Sequence, residues 1–302
     1  MVFISVIITA YKRKEFIMDA IKSVLNQTLP RKYYEIIVVK NFIDSDIDKY
    51  INDNNIKNIF SNDISLSGKS VEAIKSSHGE IISFLDDDDM FYNNKLEYIY
   101  DLFKNNINLV YYHNNMQFMD ENESPIKNQY NAPDFNTSSI TIEKNIINID
   151  NLKKIDIIVD TFFYCSALDS NKKIIDNKKI LTKYRFHNSS SNVLDSNFDM
   201  FLKNKINVTE RFIDHYKSLL PLFKRKKTIN NIKSLIFIKE TYLYSINKNY
   251  KPNNFLFKFL FYSGHKLSTI LEFISITIFG NFARRILNSY RMKIVFKNSI
   301  YS

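Results

Sequence analysis

Over residues 1–115, short apolar runs of strand length alternate with stretches whose apolar residues recur at helical spacing. A chain with that rhythm folds as a mostly parallel sheet covered by helices, because neither element can bury its apolar side alone. The strands expected are Phe3–Ile8, Glu35–Val39, Asn58–Phe60, Glu80–Leu85 and Asn108–Tyr112. The helices between them are Lys14–Asn26, Asp44–Asn52, Gly68–Ser77 and Asn93–Phe103. The first helix carries Phe16, Ile17, Ala20, Ile21, Val24 and Leu25 on one face. Residues 116–190 are less regular, with a β-like Ser139–Ile142, a helix from Val159 to Leu168 and a strand-like Lys179–His187. The pattern is helical from about Asp195 to the end.

The fourth of these strands ends in Asp86-Asp87-Asp88-Asp89. Four adjacent carboxylates repel one another unless a cation or a set of donors compensates them. An acidic run in a loop is usually solvated surface, but one delivered by a buried strand stands at the sheet edge where α/β folds bind ligands. A hard divalent ion, Mg²⁺ or Mn²⁺, suits carboxylates combined with substrate phosphates. Strand alternation would turn Asp86 and Asp88 to the same side.

The chain of 302 residues carries a net charge of +10, with the basic excess concentrated after residue 200 in Lys224-Arg225-Lys226-Lys227 and Arg284-Arg285. Charge alone does not choose among nucleic acid, an anionic membrane and a phosphate-bearing substrate. The aspartate run favours the last, and no nucleic-acid partner is expected. A single cysteine, Cys165, within an apolar helical pattern, excludes an internal disulfide framework and fits a reducing compartment. The first residues read as a buried strand, not a signal peptide. Residues 255–282 are dense in Phe, Leu and Ile, but Lys258, His265, Lys266 and Glu272 interrupt them. That disfavours a membrane span and leaves two readings, an amphipathic interfacial helix or helices packed on the catalytic domain. The expected location is the cytoplasm, at the inner face of the cell membrane if the interfacial reading holds.

Four blocks carry a resemblance: Ser5-Val6-Ile7-Ile8-Thr9-Ala10-Tyr11-Lys12-Arg13, Ala20-Ile21-Lys22-Ser23-Val24-Leu25-Asn26-Gln27-Thr28, Glu35-Ile36-Ile37-Val38-Val39, and Gly79-Glu80-Ile81-Ile82-Ser83-Phe84-Leu85-Asp86-Asp87-Asp88-Asp89. In order and spacing they resemble family 2 glycosyltransferases of GT-A fold. The resemblance covers residues 1–115 well, 150–190 loosely and the last hundred not at all. It implies an α/β GT-A fold, Rossmann-like, with a mixed sheet, helices on both faces and a helical C-terminal extension. The domains expected are 1–195, with 1–115 binding the nucleotide-sugar donor and 116–195 the acceptor, and a basic helical region over 196–302.

The resemblance further implies that Thr9, Ala10 and Tyr11 line the nucleotide base and ribose, with Arg13 at the same donor site. Asp88 would be the direct metal ligand, and Asp86 the other half of a DxD pair, nearer the ribose or bridging through water. Asp160 falls where the family places its catalytic carboxylate; the competing role is a helix N-cap. In a segment similar to the family's Tyr-Arg-x-His, Arg185 would stabilise charge on the leaving diphosphate, and His187 would be a late metal ligand or a diphosphate contact. Lys69, at a helix start, either holds a phosphate or faces solvent. The family's base-reading aspartate after the second strand is replaced by Lys40-Asn41, which leaves the base open.

The function implied is metal-dependent, inverting transfer of a sugar from a nucleotide-diphosphate donor to the hydroxyl of a glycan or lipid-linked saccharide. An Mg²⁺-dependent nucleotidyl- or phosphotransferase is the alternative enzyme. No Gly-x-x-x-x-Gly-Lys-Ser/Thr or Gly-x-Gly-x-x-Gly loop supports it. A catalytically inactive sugar- or membrane-binding protein is the third reading.

Overall fold

A computed structural model describes residues 2–126, 135–187, 198–247, 249–250 and 267–299. The domain boundary expected at 195/196 and the part of the apolar stretch from 255 to 266 lie outside these residues. The described residues form two compact units, one of residues up to 126 with 135–187, the other of residues from 198 onward.

The first unit is built on one eight-stranded mixed sheet. Strands β1 (Ile4–Ala10), β2 (Tyr34–Lys40), β3 (Lys57–Phe60) and β4 (Ile81–Asp86) are parallel, in the order β3-β2-β1-β4. The remaining strands are β5 (Met90–Phe91), β6 (Leu109–Met119), β7 (Ile140–Glu143) and β8 (Lys173–Arg185). Strand β7 pairs antiparallel with both β4 and β6, so residues from the irregular middle sit inside the sheet. β6 pairs with β8 in parallel, and β5 closes the far edge antiparallel to β8.

All seven residues of β1 are buried, as expected of a strand covered on both faces. Alternation sorts its side chains. Ile4, Val6 and Ile8 join Ile36, Val38 and Leu85 in a core that α1 (Ile17–Leu25), α2 (Ser45–Asp53) and α4 (Lys95–Lys104) complete with Ile21, Val24, Ile51, Leu96 and Ile99. The opposite face is covered by α3 (Leu66–Ser76), which packs on β1 and β2, and by α6 (Val159–Ser170), whose Phe163 stacks on Phe84 of β4 with ring centroids 4.5 Å apart. A short helix, α5 (Ile149–Leu152), precedes α6.

Gly79 marks where the turn after α3 presses against β1. A Cβ there would lie 2.6 Å from the Ser5 backbone nitrogen and 2.8 Å from the Ile4 carbonyl carbon. Since backbone in a central strand cannot yield cheaply, Gly79→Ala is expected to cost about 3 kcal/mol and lower the Tm by roughly 5–10 °C, read by thermal unfolding.

The second unit contains α7 (Phe198–Leu219), α8 (Lys226–Ile246) and α9 (Leu267–Ser299). Helices α7 and α8 pack together, and Phe273 of α9 meets Phe237 and Tyr244 of α8 at 5.8 and 5.9 Å. Gly280, at φ 52°, kinks α9. Among the described residues no helix is long and apolar enough to cross a membrane.

Candidate active site

The carboxyl ends of β1 and β4 lie side by side, with Thr9 in register with Asp86 and, on the other flank, with Val39. Ala10 and Thr9 are buried, and the chain then turns outward so that Tyr11 is 42% exposed. The turn is held by Lys12, at φ 61°, whose N–H donates to the Asn41 side chain at 2.9 Å. Lys69 is buried with its ammonium 4.6 Å from the Tyr11 ring centroid. It therefore faces Tyr11, not solvent. The Asp63 carboxylate lies at the same helix start. Asp63 accepts from the Ser65 N–H at 2.8 Å, and a Cβ on Gly68 would meet the Asp63 carboxylate at 1.8 Å. Asp63 is thus tied to Ser65, the N-cap of α3, whose hydroxyl in turn accepts from the Gly68 N–H at 3.0 Å. Burial lowers the Lys69 pKa, against the opposing charges of Asp63 and Glu72.

The aspartate run is a tight turn, not a continued strand. Only Asp86 belongs to β4, and the Asp89 N–H donates back to the Asp86 carbonyl at 3.3 Å. The strand alternation invoked for Asp86 and Asp88 therefore does not apply. The turn instead brings neighbours Asp87 and Asp88 together on Arg13, at 2.6 and 2.8 Å. His187, tilted against the Phe16 ring at 5.2 Å, lies 2.9 Å from the same Asp88 oxygen and 3.0 Å from Arg13.

Arg185 is buried behind the turn. It donates to the Asp88 carbonyl at 3.0 Å, the Glu121 carbonyl at 2.8 Å and the Asp19 carboxylate at 3.0 Å, while its backbone N–H donates to Asp89. With its guanidinium spent on these partners and set 4.5 Å over Phe16, Arg185 braces the turn. His187 contacts Asp88, and Arg13 supplies positive charge to Asp87 and Asp88. Among the described residues no three His, Cys, Asp or Glu side chains are placed to hold a metal ion by themselves.

Compensation is nonetheless incomplete. Burial, then the charges of Asp89, Asp88 and Asp87, raises the Asp86 pKa well above the carboxylate range. Burial and Asp88 push Asp87 up to about 6 and Asp89 up to about 8. For Asp88, burial is overcome by the His187 hydrogen bond and Arg13, and its pKa is lowered. One Asp87 oxygen is buried without a hydrogen-bond partner among the described residues. A buried, anion-rich turn with an orphaned carboxylate oxygen fits one divalent cation completed by substrate phosphates, the usual Mg²⁺ arrangement.

This electrostatic excess has a measurable sign. The folded pKa values of Asp87 and Asp89 lie above their unfolded value, so their contribution to stability is full below about pH 4 and is lost as pH rises through about 6 and about 8. Carboxylates held low, Asp44, Asp48, Asp63 and Asp88, act in the opposite sense only below about pH 4. Thermal unfolding of the ligand-free protein is expected to show a lower Tm at pH 8 than at pH 5, with Asp89→Asn flattening the slope.

Asp160 is in the first turn of α6, linked to the aspartates through packing: Phe163, one turn on, stacks on Phe84, two residues before Asp86. Ile158 occupies the N-cap position, so the capping role weighed for Asp160 is not what it does. Its carboxylate accepts from the Thr161 N–H at 2.6 Å. Burial raises its pKa, and the Thr161 bonds oppose that rise. Burial, then the charge of Asp160, also pushes up the hydroxyl of Tyr111, which has no hydrogen-bond partner among the described residues.

Several supporting residues had no sequence signal. Asn136 donates to Asp89 at 2.9 Å, the Ser138 hydroxyl accepts from the Asp86 N–H at 3.0 Å, and Asp19 holds Arg185. Their partners lie 47, 52 and 166 residues away, beyond the reach of any local pattern.

The profile of the family described as Glycosyl transferase family 2 matches residues 5–170. The poly(ribitol-phosphate) beta-N-acetylglucosaminyltransferase TarP of Staphylococcus aureus is 28% identical over 257 residues, spanning 82% of this chain and 71% of its own. An uncharacterized glycosyltransferase of Rickettsia bellii is 34% identical over 122 residues, 39% of this chain but 17% of its own length. Among solved structures, residues 1–349 of S. aureus TarS align with a TM-score of 0.59 at 14% identity, over 90% of this chain and 80% of that one. The mannosyltransferase PcManGT of Pyrobaculum calidifontis, in complex with GDP-Man and Mn²⁺, aligns at 0.57 and 9% identity, over 97% and 84%. At such identities the structures speak for the fold alone, a GT-A glycosyltransferase fold with a helical C-terminal region. The profile spans more than half of the chain, from β1 through the aspartate turn to the end of α6, and on that match the chain belongs to glycosyl transferase family 2.

Proposed function

We propose that this protein transfers a sugar from a nucleotide-diphosphate donor to the hydroxyl of a glycan or lipid-linked saccharide, with inversion and with help from a divalent cation. The observation that carries the reading is the buried aspartate turn, under-compensated by Arg13 and His187 and set beside the exposed Tyr11. In this reading Thr9, Ala10, Tyr11 and Lys69 border the base and ribose, Tyr11 offering a stacking face. Asp86 and Asp88 are the residues that would hold Mg²⁺ or Mn²⁺. The cation, when bound, lends positive charge to the departing diphosphate.

The chain's own groups do the rest. Arg13, a third exposed, is the cation of this cluster that can turn from Asp88 toward a phosphate. Asp160 accepts the acceptor proton as the hydroxyl oxygen bonds to the anomeric carbon. The bond from that carbon to the phosphate oxygen breaks, and its electron pair leaves with the nucleoside diphosphate. A raised pKa suits Asp160 to this task, since a carboxylate of ordinary acidity is a poor base. Residues 1–195 would form the transferase domain, with 1–115 for the donor and 116–195 for the acceptor, and 196–302 an appended region working at the cytoplasmic face of a membrane.

Incubation with a panel of nucleotide sugars, followed by chromatography for released nucleoside diphosphate, tests the activity. Release from one donor, enhanced by acceptor, is expected; no release from any donor with Mg²⁺ or Mn²⁺ present counts against the reading. The pH profile tests the base. Thr161→Val removes a hydrogen bond to the charged form of Asp160, so the acid limb of kcat/KM is expected to move to higher pH.

A further inference from the structure

Helix α9 divides its apolar residues between two sides. Phe273, Ile276 and Ala283 are buried, the first against α8, whereas Leu271, Ile274, Ile278, Phe279, Phe282 and Ile286 are exposed. Before the kink, Leu271, Ile274 and Ile278 follow one another at the three-to-four spacing of a single helix face. The most exposed large side chains flank the kink at Gly280: Ile278 at 66%, Phe279 at 61% and Phe282 at 68%. An apolar cluster of this size in water marks a surface that meets something.

We propose that this face of α9 docks on an anionic lipid surface. The charge distribution selects that occupant. Residues after 188 hold 19 Lys and Arg against 6 Asp and Glu, a net of +13, while residues 1–188 hold 23 against 26, a net of −3. The whole basic excess therefore lies in the 114 residues after 188, which carry the apolar face. Lys224, Lys226 and Lys227, before and at the start of α8, are exposed. A second copy of this chain would bring +13 onto +13, an arrangement that charge opposes. A nucleic acid would engage the cations but leave Ile278, Phe279 and Phe282 in water. A bilayer rich in acidic lipid takes both, burying the aromatic face at the acyl boundary and pairing the cations with headgroups. The contact is interfacial, since among the described residues no helix can cross a membrane. Unlike the donor chemistry, this docking does not depend on the aspartate turn.

Co-sedimentation of the full chain with vesicles tests it. The protein is expected to pellet with phosphatidylcholine vesicles containing about 30 mol% phosphatidylglycerol, to stay in solution with phosphatidylcholine alone, and to be released by salt. The double variant Phe279→Glu/Phe282→Glu alters exposed side chains and is expected to keep its circular dichroism while its bound fraction falls about tenfold. Three outcomes overturn the proposal: no binding to the anionic vesicles, binding that the double variant leaves intact, or an oligomer in light scattering that the same variant dissociates. The last would assign the face to a second copy.

Discussion

Asp88→Ala is expected to lower kcat/KM about 10³-fold, the scale of losing one preorganised charge at a site where charge develops. Asp88 is where Arg13 and His187 converge, and it is the member of the run whose pKa is held low, so it is ionised when a cation or a diphosphate arrives. Two opposing effects keep the fold intact. Losing the bonds to Arg13 and His187 destabilises, but removing the Asp88 charge relieves Asp86, Asp87 and Asp89, each of which it raises. The Tm is therefore expected to shift by only a few degrees, on the order of 1 kcal/mol. Activity lost with stability kept is the signature of a site residue. A variant that retained wild-type transfer would remove the basis for the metal proposal.

Asp160→Asn is expected to reduce kcat about 10³-fold, within the range of removing a general base. Donor affinity should be unchanged, because Asp160 is placed in the acceptor's proton transfer and not against the diphosphate. The amide keeps the shape of the side chain in the first turn of α6, and its oxygen can still accept from the Thr161 N–H. Stability should hold or improve, since burial penalises the charged form that the variant removes. Steady-state kinetics with donor and acceptor varied separately reads the difference. An unchanged kcat would dismiss Asp160 as the base and leave the fold and the donor site standing.

Much of residues 1–115 was legible because its determinants are local. The apolar runs of β1, β2 and β4 are buried on both faces, and such runs announce themselves without knowledge of partners. The helices between them showed their spacing, and their observed ends lie within a few residues of those expected. What the pattern could not carry was pairing. Nothing in Ile140–Glu143 says that it inserts antiparallel between β4 and β6. The two residues of β5 are too short for any periodicity.

The site divides in the same way. Asp86–Asp89, Thr9 and Tyr11 stood out because they follow directly on strands whose ends share one sheet edge. The partners that decide each carboxylate's state come from far along the chain. Arg13 reaches Asp87 across 74 residues, and His187 reaches Asp88 across 99. The family resemblance singled out Arg185 and His187, but not their contacts. Those of Arg185 are with Asp19 and with the carbonyls of Asp88 and Glu121.

The most direct test of the central claim, that the aspartate turn receives a cation together with a nucleoside diphosphate, is a thermal-shift panel of UDP, GDP, ADP and CDP with and without Mn²⁺. The Tm is expected to rise for one nucleotide and only when Mn²⁺ is present, by the amount that saturating ligand gives: about 2.7 kcal/mol of stabilisation at a hundredfold excess over Kd. Asp88→Ala should abolish the shift. An equal shift without metal, or one that survives Asp88→Ala, would contradict the account.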